Sequence, residues 1–239
     1  MLDIQKELIS YEYQETQLEA FCAHPQKDKN NTTILICHAW GGRDKFVEDV
    51  ACKLATLGYT AIALDTYGKG ILAESTEEKS ALIQPLLNDR AMLQGRLKSG
   101  FDMVQNLNYV DKTKISAMGY CFGGLCVLDM VRMGLALQVV ISVHGLFTKP
   151  DNLKDYKIRA KILALHGHLD PMVDRAAVSD FMQEMDSCDA DWQINTFGKA
   201  LHAFTNPQAH DYELGTVFNE DIAKRAWNDI LHFLAAYAM

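Results

Sequence analysis

Short β-branched runs alternate along this chain with longer stretches of helical period. The strand-like runs fall at residues 32–38 (TTILICH), 60–64 (TAIAL), 114–118 (KISAM), 139–143 (VVISV), 160–166 (AKILALH) and 191–196 (DWQINT). Helical patterns lie between them, near residues 45–57, 79–107, 123–133, 174–185 and 219–237. This alternation predicts an α/β protein with a mostly parallel central sheet covered by helices on both faces. Residues 9–13 and 18–23 resemble an antiparallel hairpin at one sheet edge. No internal repeat, low-complexity tract or Pro/Gly/Ser linker divides the chain, so residues 1–239 read as a single domain. The two long irregular segments, 66–78 and 198–218, each follow a strand. They are expected at the carboxyl ends of the sheet, where open α/β sheets bind ligands.

Composition narrows the partners. A chain of 239 residues that is 49% hydrophobic can bury a sizeable core. Lys plus Arg is 23 against Asp plus Glu 31, a formal charge of −8, and no basic run interrupts that balance. Nucleic acid and anionic membrane surfaces are therefore not expected partners. The first residues, MLDIQKELISY, carry acidic groups and no apolar core of signal-peptide length. No run approaches the roughly 18 to 20 apolar residues that span a bilayer. The expectation is a soluble cytoplasmic protein, monomeric or homodimeric. Six cysteines (Cys22, Cys37, Cys52, Cys121, Cys126 and Cys188) without C-x-x-C pairing match neither a disulfide scaffold nor a zinc site. All but Cys121 read as small buried hydrophobes.

Cys121 stands in Gly119-Tyr120-Cys121-Phe122-Gly123, between KISAM and the helical run GGLCVLDMVRM. The form G-x-nucleophile-x-G between strand and helix is that of a nucleophile elbow, where small residues let the two backbones approach. The helix N-terminus behind such a thiol favours the thiolate. After AKILALH comes Asp170, in GHLDPMV, and after DWQINT comes His202, in ALHAF. The chain order nucleophile, acid, histidine marks the α/β-hydrolase arrangement, with His202 taking the thiol proton and Asp170 orienting it. Taken singly, Asp170 also fits a turn or helix cap, and His202 a surface loop. The backbone N–H of Phe122 and that of Trp40, in HAWGG after the first central strand, are the expected oxyanion donors. His38, Tyr67 and His144 are further candidates for the pocket lining, although each also reads as a residue that packs or bonds to a loop.

These motifs resemble the dienelactone hydrolase family over nearly the whole chain. The resemblance rests on GYCFGG (residues 119–124), HGHLDPMV (166–173), LHAF (201–204) and DTYGKG (65–70). It implies Cys121, Asp170 and His202 as triad, Trp40 and Phe122 as oxyanion donors, and an ester or lactone substrate without cofactor or metal. Two departures accompany it. Dienelactone-opening members carry a glutamate after the early strand where this chain has Ala39. They also hold the substrate carboxylate with arginines, which are absent from residues 66–78 and from His202-Ala203-Phe204-Thr205-Asn206. A neutral or weakly polar acyl substrate is expected instead. Alternatives are a thioesterase or acyltransferase sharing the covalent intermediate, and a thiol-based sensor on the same fold. A metal hydrolase built on His166, His168 and Asp170 is the weakest, since no second cluster of ligands accompanies them.

Overall fold

The computed structural model describes residues 2–27, 30–154 and 156–238. Two ten-residue strands, β1 (Ile4–Tyr13) and β2 (Thr16–Pro25), pair antiparallel about a tight turn in which Gln14 takes a φ of 51°. The hairpin runs further at its open end than the apolar positions suggest, because β1 is an edge strand whose outer residues stay exposed. The remaining strands of the sheet are β3 (Thr33–Cys37), β4 (Thr60–Leu64), β5 (Ile115–Tyr120), β6 (Val139–Val143), β7 (Lys161–Gly167) and β8 (Asp191–Phe197). The helices are α1 (Lys45–Ala55), α2 (Thr76–Asn88), α3 (Arg90–Gln105), α4 (Phe122–Arg132), α5 (Arg175–Ser187) and α6 (Glu220–Tyr237). The sheet order is β1-β2-β4-β3-β5-β6-β7-β8, parallel from β4 to β8, with β2 antiparallel to β4.

Central strands β3, β4, β5 and β6 are buried at every position, as their unbroken apolar runs require. One core layer joins Val47, Val50 and Leu54 of α1 to Ile222, Ile230 and Leu234 of α6. The other joins Leu93 and Leu97 of α3 to Leu125 of α4 and Phe181 of α5. Each layer buries one face of the sheet.

The pattern over 79–107 is two helices rather than one. Pro85 lies inside α2 without ending it, and the break comes at Asp89, which leaves helical geometry at φ −117° and ψ 82°. Asp89 then caps α3 by accepting from the Met92 N–H at 2.9 Å. The irregular segment after β8 also carries order, a small hairpin of β9 (His210–Asp211) and β10 (Thr216–Val217).

What positions the site is the reversal of strand order at β3. From β3 the chain steps to β4 on one side, and β5 lies on the other. A crevice at the carboxyl ends of β3 and β5 follows from that switch. Cys37 and Gly119 are paired across it, so the loop after β3 and the turn after β5 open side by side.

Candidate active site

Cys121 occupies the turn between β5 and α4 as the N-cap of that helix, with φ 54° and ψ −114°. Non-glycine residues rarely adopt such a backbone, and strain of this kind collects at functional positions. Glycines make the turn fit: a Cβ on Gly119 would stand 2.0 Å from the Gly123 carbonyl oxygen, and one on Gly123 would stand 2.1 Å from that of Cys37. The Cys121 N–H donates to the Val143 carbonyl at 3.0 Å, locking the turn to the end of β6. Cys121 as a residue is 9% exposed and lines a cavity of about 600 Å³.

His202 lines this same cavity, and Asp170 is buried behind it. The His202 Nδ1 and Asp170 Oδ2 are 2.7 Å apart with both side chains buried, so Nδ1–H donates to the carboxylate and Nε2 is left toward Cys121. The other oxygen of Asp170 accepts from the Met172 N–H at 2.8 Å. Burial pulls the His202 imidazole down, but a thiolate at Cys121 and the bond to Asp170 outweigh it and push the group up to about 10. Among the described residues, Nε2 has no well-formed hydrogen bond, so its coupling to the sulfur is chiefly electrostatic.

The loop after β3 forms the opposite wall. Ala39, Trp40 and Gly41 line the cavity, and Trp40 is half-buried there. No described residue accepts from the Trp40 N–H. The Phe122 N–H is in the first turn of α4, where helix donors lack intrahelical partners. His38 and Tyr67 are placed behind this wall and do not line the cavity. His38 is 1% exposed; its Nδ1 donates to the Ala39 carbonyl at 2.6 Å and its Nε2 accepts from the Thr66 N–H at 3.2 Å. Burial lowers its proton affinity, which suits that neutral tautomer. The Tyr67 hydroxyl donates to the Trp40 carbonyl at 2.9 Å, and its ring stacks on Phe122. Both side chains hold the loop in place, the second of the two roles that their sequence positions allow. His144 alone of the three reaches the cavity.

Lys79 was not singled out by its sequence position. It lies in the first turn of α2, half-buried, with Nζ 5.6 Å from the centre of the Trp40 ring. Among the described residues it is the sole Lys or Arg lining the cavity, against the carboxylates Asp44, Glu74 and Asp211. No group of three or more His, Cys, Asp or Glu among the described residues is placed to hold a metal ion. No described helix is long and apolar enough to cross a membrane.

A mostly parallel eight-stranded sheet, with a strained strand-to-helix turn and a histidine after its last strand, defines an α/β-hydrolase. The Dienelactone hydrolase family model matches residues 18–238. This chain belongs to the dienelactone hydrolase family and is a hydrolase acting on ester or lactone bonds. It is 33% identical over 149 residues to an uncharacterised protein of Caenorhabditis elegans, covering 59% of this chain and 92% of that one. It is 24% identical to a probable 2-oxo-3-(5-oxofuran-2-ylidene)propanoate lactonase of Bradyrhizobium, covering 90% of this chain and 88% of that one. Among solved structures, a dienelactone hydrolase-like promiscuous phosphotriesterase from metagenomic libraries superposes with a TM-score of 0.92 at 24% identity, covering 98% and 99% of the two chains. That likeness shows the fold.

Proposed function

We propose that this enzyme hydrolyses neutral carboxylic esters or lactones through a covalent acyl-cysteine on Cys121. The observation that carries this reading is that Cys121 and His202 line one cavity, with the Asp170 carboxylate 2.7 Å from the imidazole and the other ring nitrogen left for the thiol. His202 takes the thiol proton, and the sulfur attacks the substrate carbonyl carbon. The carbonyl oxygen becomes an oxyanion, for which the Trp40 and Phe122 N–H groups are the donors. Collapse breaks the ester C–O bond and His202 protonates the leaving alkoxide. Water, deprotonated by His202, then cleaves the thioester and frees the acid and the thiol. Hydrogen bonds of this kind commonly tighten only with substrate in place, which accommodates the loose contact between Nε2 and sulfur.

Three carboxylates against one lysine around the cavity support a neutral acyl substrate over one bearing its own carboxylate. With Ala39 beside Cys121, thiol activation rests on His202 and on the N-terminus of α4. Cys37, Cys121, Cys126 and Cys188 are buried and form no disulfide, which supports a cytoplasmic setting.

The test is a panel of p-nitrophenyl esters, small lactones, dienelactone and acyl thioesters, assayed with wild type, Cys121→Ala and His202→Ala. Both variants are expected to lose on the order of 10³-fold or more in kcat. Neutral esters are expected to exceed dienelactone in kcat/KM. Full activity in Cys121→Ala, or a marked preference for dienelactone, contradicts the reading.

A further inference from the structure

Six described non-glycine residues have positive φ, and three of them meet at the cavity: Cys121, Ala203 next to His202, and His144 at φ 38°. The first two are accounted for by the elbow and by the loop that carries the base. His144 follows the last residue of β6, whose carbonyl accepts the Cys121 N–H, so it continues the strand end to which the elbow is fastened. Its own N–H donates to the Leu165 carbonyl of β7 at 2.7 Å, which fixes the backbone in that strained form.

The ring reaches across the site. Nε2 shares a hydrogen bond of 2.8 Å with the hydroxyl of Thr205, three residues beyond His202 on the same loop. The imidazole packs edge-on against His202, with centroids 5.3 Å apart and planes at 64°, and against Phe204 at 5.2 Å. On its other side is Tyr120, at 5.9 Å, the residue before Cys121. One side chain thus touches both the strand that presents the thiol and the loop that presents the base. These two segments are far apart in sequence, and a contact of this kind is what sets their separation.

We propose that His144 is a positioning residue for acyl transfer: bonded to Thr205 and seated between Tyr120 and His202, it sets where the base stands relative to the Cys121 thiol. The inference rests on the reading of Cys121 and His202 as nucleophile and base. Its chemistry suits the place. Burial, and then the charge of His202, hold the His144 proton affinity well below that of an ordinary histidine, so the ring remains uncharged beside an imidazolium. A lysine or arginine there would repel the proton that His202 must accept.

The test compares His144→Phe, Thr205→Val, Thr205→Ser and the double variant His144→Phe/Thr205→Val. The readouts are kcat and KM on p-nitrophenyl acetate and the rate of Cys121 alkylation by iodoacetamide. His144→Phe keeps a ring in contact with His202 and removes the bond. Each of His144→Phe and Thr205→Val is expected to lower kcat on the order of tenfold with KM within about twofold, and to slow alkylation. Thr205→Ser is expected to restore wild-type kcat. The double variant should lose little more than either single one, since one bond is removed in each case. Wild-type kcat in Thr205→Val, or losses that multiply in the double variant, would overturn the proposal. If His144→Phe does not fold, the Val and Ser variants of Thr205 decide by themselves. Failure of the underlying reading looks different, because Cys121→Ala would then turn over normally.

Discussion

Burial pulls the His202 proton affinity down, but the charge that Cys121 carries when ionised and the hydrogen-bonded carboxylate of Asp170 push it up to about 10. An unfolded histidine titrates near 6.5. The folded value is the higher one, so the stabilisation of the protonated ring by its bond to Asp170 is present below about pH 6.5 and is lost as pH rises through about 10. Cys121→Ser removes the thiolate and keeps the side chain's shape. The His202 midpoint, followed by imidazole NMR, is expected to fall in that variant; an unchanged midpoint would show that Cys121 does not set it. At this scale Cys121, His202 and Asp170, the proposed triad, are legible in the sequence because chain order and strand position suffice to bring them to one end of the sheet. For His38 and Tyr67 the sequence leaves pocket lining and loop contact both open, since both stand just past strand ends. There the alternation of faces no longer tells where a side chain points, and hydrogen bonds to Ala39, Thr66 and Trp40 decided it.

Secondary elements approach most closely where β3, β5 and α4 meet. A Cβ at Gly123 would press on the carbonyl oxygens of Cys37 and His38, at 2.1 and 2.7 Å, and these are backbone atoms that yield only if the strand moves. Gly123→Ala is therefore expected to destabilise the fold toward the upper end of about 1–3 kcal/mol. It should also lower activity by displacing the loop that carries Trp40. Gly198→Ala is the control, because its Cβ would meet nothing within 4 Å. Urea denaturation checks both, and equal midpoints for the two variants would contradict the packing account. The elbow glycines were readable as a motif, whereas the break at Asp89 was hidden inside a continuous helical period. Lys79 was missed for a related reason: periodicity marks the buried face of a helix, but not which of its ends borders a cavity.

Across the whole molecule, function follows from topology. The sheet reverses its strand order at β3, and the elbow, the loop carrying Trp40, Asp170 after β7 and His202 after β8 all open at the carboxyl ends of their strands. The alternation of strands and helices was enough to foresee that arrangement. It could not foresee the shape or charge of the cavity, which depends on residues from 39 to 216 converging through long-range contacts. The proposed function stands on Cys121 carrying the acyl group. Wild-type enzyme mixed with p-nitrophenyl acetate, quenched in acid within the first turnovers and mapped by peptide mass spectrometry, reads this directly. The acetyl group is expected on the peptide containing Cys121; p-nitrophenol release with the acetyl group on a different residue, or with Cys121 unmodified at every quench time, would contradict it.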